Sequence, residues 1–188
     1  MRSLKSFIVT SLDGFYEGPN GELDWMTVDE EFNDFAVRQL DEAATLGFGR
    51  LTHEHMAAYW STEQAKANDP AITSRMNDME KLVFSTTVTE VDWSHTSVIR
   101  GEAIDLLPAI EPAAGGTLLV LGSAQLTANF IHAGLLDELR IMVCPIVLGQ
   151  GRSPFEDLQD RISLLPLSVR QFDSGNLLLT YRPTRRMS

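Results

Sequence analysis

The sequence predicts a single α/β domain over residues 1–188, with a mostly parallel sheet, flanking helices and an antiparallel C-terminal edge. Strand-like and helix-like segments alternate along the chain. Thr117–Leu121 (TLLVL) is continuously apolar, which is typical of a strand covered on both faces. Near the end, the strand-like segments 168–172 and 177–182 flank Asp173-Ser174-Gly175-Asn176, a pattern that predicts a hairpin.

The first third of the chain holds two strands and two helices. Strands are predicted over residues 6–12 and 45–48, and the first ends at the turn dipeptide Asp13-Gly14. Apolar residues recur at steps of three and four over 28–44, which predicts an amphipathic helix. A second helix is predicted near 51–59.

The middle of the chain is more polar. Residues 61–79 contain Pro70 and predict a loop with one helical turn at most. Short strands are predicted over 81–85 and 97–100, and a helix over 102–110.

The last third begins with the apolar strand already described. An amphipathic helix is predicted over 123–133, with Gly134 as its stop. Residues 139–148 form a long apolar run that predicts a central strand, and Pro145 within it predicts a bulge or an end.

Composition excludes several function classes. The net charge of −11 repels phosphate backbones, which argues against general nucleic-acid binding but permits a local basic pocket. No apolar run reaches the roughly 18 residues that span a membrane, and the N-terminus is too polar for a signal peptide. The single cysteine, Cys144, cannot form an internal disulfide, so we expect a buried core residue and a reducing, cytoplasmic location.

Chemistry is expected where the strands end, because ligands of open α/β sheets bind at the carboxyl ends of the strands. Three of these junctions are small, polar or basic, and two of them open helices, whose N-termini suit phosphate. The residues concerned are Gly49, Arg50 and Thr52, then Ser85 and Thr86, then Gly122, Ser123, Ala124 and Gln125. Taken singly, each junction also fits a turn with a surface arginine or an ordinary helix cap.

Two stretches carry a family resemblance. Gly49-Arg50-Leu51-Thr52-His53-Glu54 resembles the GRxT-x-E stretch of dihydrofolate reductases. Leu118–Asp157 resembles the reductase domain of the riboflavin-biosynthesis RibD family, with its glycine turn, G-L-[LV]-D-E-L and P-[IV]-x-L-G-x-G motifs. Ser11-Leu12-Asp13-Gly14 and the residues 22–27 are similar to further motifs of that family. The chain is thus identified as a stand-alone member, with a dihydrofolate-reductase-like three-layer fold.

The resemblance implies NADPH as hydride donor and a small pyrimidine- or pteridine-like heterocycle as acceptor, similar to the substrate of 5-amino-6-(5-phosphoribosylamino)uracil reductase. It also implies a homodimer, with the run 139–148 near its interface. The implied cofactor contacts are Arg50 and Thr52 at the adenosine phosphates, Ser85 and Thr86 at the adenine ribose, Gly122 to Leu126 at the pyrophosphate, and Val9 and Thr10 at the nicotinamide.

One position departs from the family. At the end of the strand Thr117–Leu121, the riboflavin enzymes usually carry Glu-Gly-Gly, whereas the present chain has Leu121-Gly122-Ser123. That glutamate helps with substrate in the riboflavin enzymes, so its replacement by Leu121 puts the ribosylamino-pyrimidine substrate in question.

Three residues are candidates for the substrate side of the site. Asp13 follows the first strand beside the expected nicotinamide, which makes it a candidate proton donor or, alternatively, a cap of the Asp-Gly turn. Asp24 and Trp25 are candidates for the substrate wall, with the indole stacking on a ring or, alternatively, anchoring the loop in the core. His53 and His55 point to different faces of a helix, and we expect no metal site.

Three functions remain after these arguments. The first is an NADPH-dependent reductase. The second is a non-catalytic nucleotide-binding or regulatory protein of the same fold, which the missing glutamate keeps open. The third, a phosphotransfer enzyme, is disfavoured because the chain lacks a GxxxxGK[ST] loop.

Overall fold

A computed structural model describes residues 3–101, 116–158 and 160–184. One eight-stranded sheet crosses the molecule in the order β4-β3-β2-β5-β1-β6-β8-β7. The first six strands in this order run parallel to one another. The last two do not, because β8 is antiparallel to β6 and β7 is antiparallel to β8. The strands are β1 Ser3–Thr10, β2 Thr45–Gly49, β3 Glu80–Phe84, β4 Thr96–Ile99, β5 Thr117–Leu121, β6 Glu138–Val143, β7 Ser163–Gln171 and β8 Leu177–Thr184.

The described helices lie on both faces of this sheet. They are α1 Glu30–Asp41, α2 Arg50–Trp60, α3 Glu63–Asn68, α4 Pro70–Asp78 and α5 Ala124–His132. None of the helices in the described ranges is long and apolar enough to cross a membrane. The mixed sheet with its antiparallel edge confirms the predicted fold class. The helix expected over 102–110 lies outside the described residues.

The apolar run of β5 is explained by two hydrophobic clusters, one on each face of the sheet. Leu119 and Leu121 belong to the cluster beneath α1 and α4, whereas Leu118 and Val120 belong to the cluster beneath α5. Successive side chains of a strand point to opposite faces, so a strand covered on both sides needs apolar residues at every position.

The prediction of a loop over 61–79 was wrong, because α3 and α4 occupy most of this segment. The Thr62 hydroxyl accepts from the Ala65 N–H and caps α3. Pro70 is at the start of α4, where a missing N–H has no cost and a fixed φ favours the helix. Ile72 and Met76 then face the core, a stripe too short to stand out in the sequence.

Two boundaries near the C-terminal end also differ from expectation. The strand predicted over 139–148 ends at Val143, just before Cys144 and Pro145. It lies between β1 and β8 inside the sheet, which removes it from any interface formed by a sheet edge. The strand predicted over 168–172 begins earlier, and β7 accommodates Pro166 because this strand is at the edge and irregular there.

Candidate active site

Four neighbouring strands end side by side at the expected site. In the order β3-β2-β5-β1 they run parallel, so their carboxyl ends meet at one edge of the sheet. Ser85, Gly49, Gly122 and Ser11 are the residues at or just beyond these four ends. The structure therefore brings together the three junctions that the sequence singled out, with the loop of Asp13 beside them.

Two helices open at this edge without a side-chain cap. The N-cap of α2 is Gly49, and the N-cap of α5 is Ser123. The Ser123 hydroxyl, instead of capping its own helix, accepts a hydrogen bond from the Gly49 N–H at 2.7 Å. This bond joins the ends of β2 and β5. Two helix N-termini on adjacent strands thus present N–H groups and partial positive charge at one place, which suits a diphosphate.

Gly122 makes the turn between β5 and α5. Its φ is +70°, a conformation that side chains rarely adopt, and an added Cβ would lie 3.2 Å from the Thr52 methyl carbon. Its N–H donates to the Phe7 carbonyl at 2.9 Å, which ties the turn to β1. The glycine therefore keeps a narrow space open beside Thr52, where a backbone can approach a ligand closely.

The other predicted pyrophosphate contacts differ in what they can offer. The side chains of Ala124 and Leu126 are buried in the protein, so only their backbone N–H groups are available to a ligand. Gln125 is exposed. On the nicotinamide side, Thr10 is buried, and Val9 is half-buried and packs against the cluster that contains Phe7.

Arg50 begins α2 and is paired with Glu54 one turn later. Its Nη1 lies 3.0 Å and 3.2 Å from the two carboxylate oxygens of Glu54. The pair lines a groove of about 300 Å³ between α2 and residues 88–93. His53 and Trp93 line the same groove, and the sequence reasoning assigned them no role.

The Ser85 hydroxyl is engaged in its own turn. Its Oγ accepts from the N–H groups of Thr87 at 3.2 Å and Val88 at 3.0 Å. Thr86 is exposed beside it. Ser85 thus shapes the loop after β3, while Thr86 presents its side chain to solvent at the site edge.

Asp13 fastens the end of β1 to the loop after β6. Its carboxylate accepts hydrogen bonds from the Ser11 hydroxyl at 2.7 Å and from the N–H groups of Leu148 at 3.1 Å and Gly149 at 2.8 Å. The Ser11 hydrogen bond, followed by those two amides, lowers the pKa of Asp13 below 3.8. The carboxylate is therefore ionised at neutral pH. Sequence reasoning missed these partners, since residues 148 and 149 carried only a family motif.

Asp24 and Trp25 lie on the long loop between β1 and α1. Asp24 is exposed, and Trp25 is partly exposed and belongs to neither hydrophobic cluster. The Trp25 indole N–H donates to the Glu22 carbonyl at 2.9 Å. Of the two alternatives for Trp25, the position outside both clusters favours a ring that is accessible to a ligand.

The two histidines after Arg50 lie on different sides of α2. His53 is 4% exposed with no hydrogen bond at Nε2, and burial lowers its pKa. His55 is exposed on the other side of α2. Among the described residues, no group of three histidine, cysteine or carboxylate side chains is placed to hold a metal ion.

Leu121 is the position at which the family resemblance implies a glutamate. Its side chain is 8% exposed and packs in the cluster that contains Phe7 and Phe48. This position therefore presents no polar group to a substrate.

Comparison with known proteins adds to this geometry. The sequence pattern of the RibD C-terminal domain family matches residues 2–178. The uncharacterized protein YyaP of Bacillus subtilis is 31% identical over 176 residues, which cover 93% of this chain and 91% of YyaP.

Two solved structures show the same fold. A putative riboflavin biosynthesis protein from Shewanella sp. PV-4 has a TM-score of 0.76 and 24% identity, covering 97% of this chain and 99% of that one. The dihydrofolate reductase of Enterococcus faecalis, solved with NADP(H), has a TM-score of 0.60 and 15% identity, covering 97% of each chain.

Proposed function

The chain belongs to the RibD C-terminal domain family, and from this premise we propose that it is an NADPH-dependent reductase of a small pyrimidine- or pteridine-like heterocycle. Two structural neighbours, one named as a pyrimidine deaminase/uracil reductase and the other as a riboflavin biosynthesis reductase, support a reductase of that general kind. The cofactor, the hydride transfer and the substrate class are our proposal.

The observation that carries the proposal is the pair of uncapped helix N-termini. The first turns of α2 and α5 lie beside each other, joined by the Gly49–Ser123 hydrogen bond, at the carboxyl ends of adjacent strands. A dinucleotide carries its diphosphate at its centre, and helix N-termini at the carboxyl ends of strands attract such anions.

The residues present fit such a cofactor. Gly122 leaves a space beside Thr52 that a Cβ would fill, and Arg50 supplies a guanidinium at the edge of the site. In our proposal, Gly122 to Leu126 hold the pyrophosphate, Arg50 and Thr52 the 2′-phosphate end, Ser85 and Thr86 the ribose, and Val9 and Thr10 the nicotinamide. Bound NADPH supplies the hydride, and the protein contributes mainly the relative position of donor and acceptor.

The substrate would lie beyond β1, between the loop of Trp25 and the loop fastened by Asp13. We assign Trp25 to stacking and Asp24 to polar contact with the heterocycle. Asp13 remains our predicted catalytic group, and its ionised carboxylate suits it to orient a water that delivers the proton. Because Leu121 is apolar, we propose a substrate other than the ribosylamino-pyrimidine of the riboflavin enzymes.

The same apolar Leu121 favours the second candidate, a nucleotide-binding protein without chemistry. Turnover separates the two. Oxidation of NADPH, followed at 340 nm with a panel of pterins and aminopyrimidines, is expected to exceed the rate without acceptor for at least one compound. No acceleration by any compound, with tight NADPH binding, would support the non-catalytic candidate.

The first test is a titration with NADPH and, separately, NADH, followed by tryptophan fluorescence, because Trp93 lines the groove next to Arg50. Tight NADPH binding that weakens at least about tenfold in Arg50→Ala is expected if the guanidinium holds the 2′-phosphate. Arg38→Ala is the matched control, since Arg38 is an exposed arginine on α1. A folded protein that binds neither nucleotide would refute the proposal.

Two further parts of the proposal concern location and assembly. Cys144 is buried and unpaired, in keeping with a reducing compartment such as the cytoplasm. For assembly we propose a homodimer that forms through the edge strand β7.

A further inference from the structure

The cation assigned to the cofactor phosphate is already held by a carboxylate on its own helix. Arg50 and Glu54 are four residues apart, and one guanidinium nitrogen contacts both Glu54 oxygens. Both side chains are about half exposed, at 42% for Arg50 and 51% for Glu54. A phosphate that binds Arg50 must therefore displace Glu54 or share the guanidinium with it.

The surroundings of this pair are acidic. The groove that Arg50 lines is also lined by three carboxylates, from Glu54, Glu90 and Asp92. Among the groove's lining residues, Arg50 is the one lysine or arginine, and the remaining side chains are His53, Trp93 and small or aliphatic groups. A phosphate dianion bound here would lie near one positive and three negative side chains. A neutral hydroxyl in the same place could donate a hydrogen bond to one of the carboxylates.

We propose that Glu54 limits the preference of this chain for NADPH over NADH by competing with the 2′-phosphate for Arg50. This inference rests on the proposed cofactor role of Arg50. Exposed ion pairs are weak, so a phosphate displaces the carboxylate, but Glu54 then stays within one helical turn of a second anion. NADH carries a hydroxyl at the same position, which a carboxylate tolerates or accepts as a hydrogen-bond donor.

Glu54→Gln tests the competition, because the amide keeps the length of the side chain and removes its charge. The dissociation constant for NADPH is expected to fall about three- to tenfold, the size of one nearby charge at a solvated site. The dissociation constant for NADH is expected to stay unchanged. Glu63→Gln is the matched control, since Glu63 forms a comparable exposed pair with Lys66 on α3, and it should alter neither constant.

The double variant Arg50→Ala/Glu54→Gln separates competition from a general loss of negative charge. If Glu54 acts through Arg50, the Glu54→Gln gain for NADPH largely disappears in the Arg50→Ala background. An equal gain in both backgrounds would overturn the inference, and so would weaker NADPH binding in Glu54→Gln, which would show that Glu54 positions Arg50 for the phosphate.

Nucleotide binding by the unmodified chain distinguishes a failure of this inference from a failure of the proposed function. Failure of the chain to bind either nucleotide would refute the proposed cofactor role itself. Binding of NADPH that depends on Arg50 but has the same affinity in the unmodified chain and in the Glu54→Gln variant would uphold that role and overturn the inference about Glu54.

Discussion

Several side chains at the carboxyl edge of the sheet act by organising the backbone around them. The Ser123 hydroxyl joins two strand ends, the Ser85 hydroxyl closes a turn, and the Asp13 carboxylate fastens a loop. Polar groups used in this way fix the positions of N–H groups that a ligand can then meet without rearrangement.

Asp13→Asn tests the role of the carboxylate. The amide retains one acceptor oxygen for three donors, so we expect a lower melting temperature at neutral pH and faster hydrogen exchange at the Leu148 and Gly149 amides. The folded-state pKa of Asp13 is lowered, so its contribution to stability is complete above pH 3.8 and is lost as the pH falls through the folded-state pKa.

The measurement is thermal unfolding of both proteins at neutral and at strongly acidic pH, where their difference should shrink. A difference of the same size at both pH values would contradict the role of the ionised carboxylate. Turnover that disappears although the two amides remain protected would support the proposed catalytic role of Asp13 in addition to its role in the loop.

Gly122→Ala tests the turn before α5. The φ of +70° is unfavourable for alanine, and the new methyl group would press against Thr52, so we expect a loss of about 1–2 kcal/mol in the free energy of unfolding. NADPH affinity should fall as well. Urea unfolding measures the first effect, and Gly122→Ala/Thr52→Ser, which removes the methyl contact, should recover part of the loss. No recovery would show that backbone strain alone is responsible.

At the scale of the elements, Lys81 joins the end of α4 to the start of β3. Its side chain is fully buried and donates to the carbonyls of Met76 at 2.9 Å, Asn77 at 3.2 Å and Met79 at 2.7 Å. The ammonium also lies 4.8 Å from the centre of the Trp93 ring. A buried cation thus satisfies the last carbonyls of the helix, in place of a glycine cap.

The buried ammonium predicts a pH dependence of stability. Burial lowers the pKa of Lys81 from 10.5 to about 8, so between these values the unfolded chain binds more protons and stability rises with pH. The rise is at most about 3 kcal/mol. The free energy of unfolding in urea is measured across this pH range for the unmodified chain and for Lys81→Met, and the difference between the two should rise with pH. The same difference for Lys66→Met, at an exposed lysine, should stay constant. A flat difference for Lys81→Met would contradict the lowered pKa.

The elements that the sequence predicted are those with strong local patterns. These patterns are the apolar residues of α1 at steps of three and four, the apolar run of β5 and the hairpin turn at 173–176. Each of them is visible within one short segment of the chain. The short helices α3 and α4 were missed, since 6 and 9 residues are too few to show a clear apolar period. The first half of β7 was missed because its residues are exposed on both sides and give no alternation.

For the molecule as a whole, the order of the strands in the sheet could not be predicted from the sequence. β2 pairs with β5, more than 65 residues further along the chain, and nothing in either segment specifies that partner. The general rule that ligands bind at the carboxyl ends of parallel strands was enough to identify the edge of the sheet. The contacts of Asp13 with Leu148 and of Ser123 with Gly49 depend on loop geometry and side-chain rotamers that no motif encodes. The Arg50–Glu54 pair, in contrast, has the i,i+4 spacing of a helix, which is readable in the sequence.

The outermost strand carries the prediction about assembly. In β7, Leu164, Leu165, Leu167 and Val169 are 37% to 67% exposed, and residues 163–169 contain no charged side chain. A neutral apolar edge on a chain of net charge −11 offers nothing to a basic partner, but a second copy can pair with it antiparallel without bringing charges together.

Light scattering of the purified chain is therefore expected to give twice the chain mass of 20.9 kDa. Leu165→Glu/Val169→Glu should reduce the mass to that of one chain, because carboxylates would meet across the twofold axis. Val28→Glu, at a residue that is 54% exposed outside β7, is the control. A single-chain mass for the unmodified protein would refute the dimer.

The position of β1 in the middle of the sheet has a consequence for biosynthesis. β1 pairs with β5 and β6, whose pairing residues lie more than 110 positions later in the chain. At 5–20 residues per second, a ribosome needs on the order of ten seconds to make β6 after β1. The apolar side chains of β1 therefore wait without a sheet partner until β5 has been made, and the parallel pairing on both sides of β1 forms only after β6 has emerged as well.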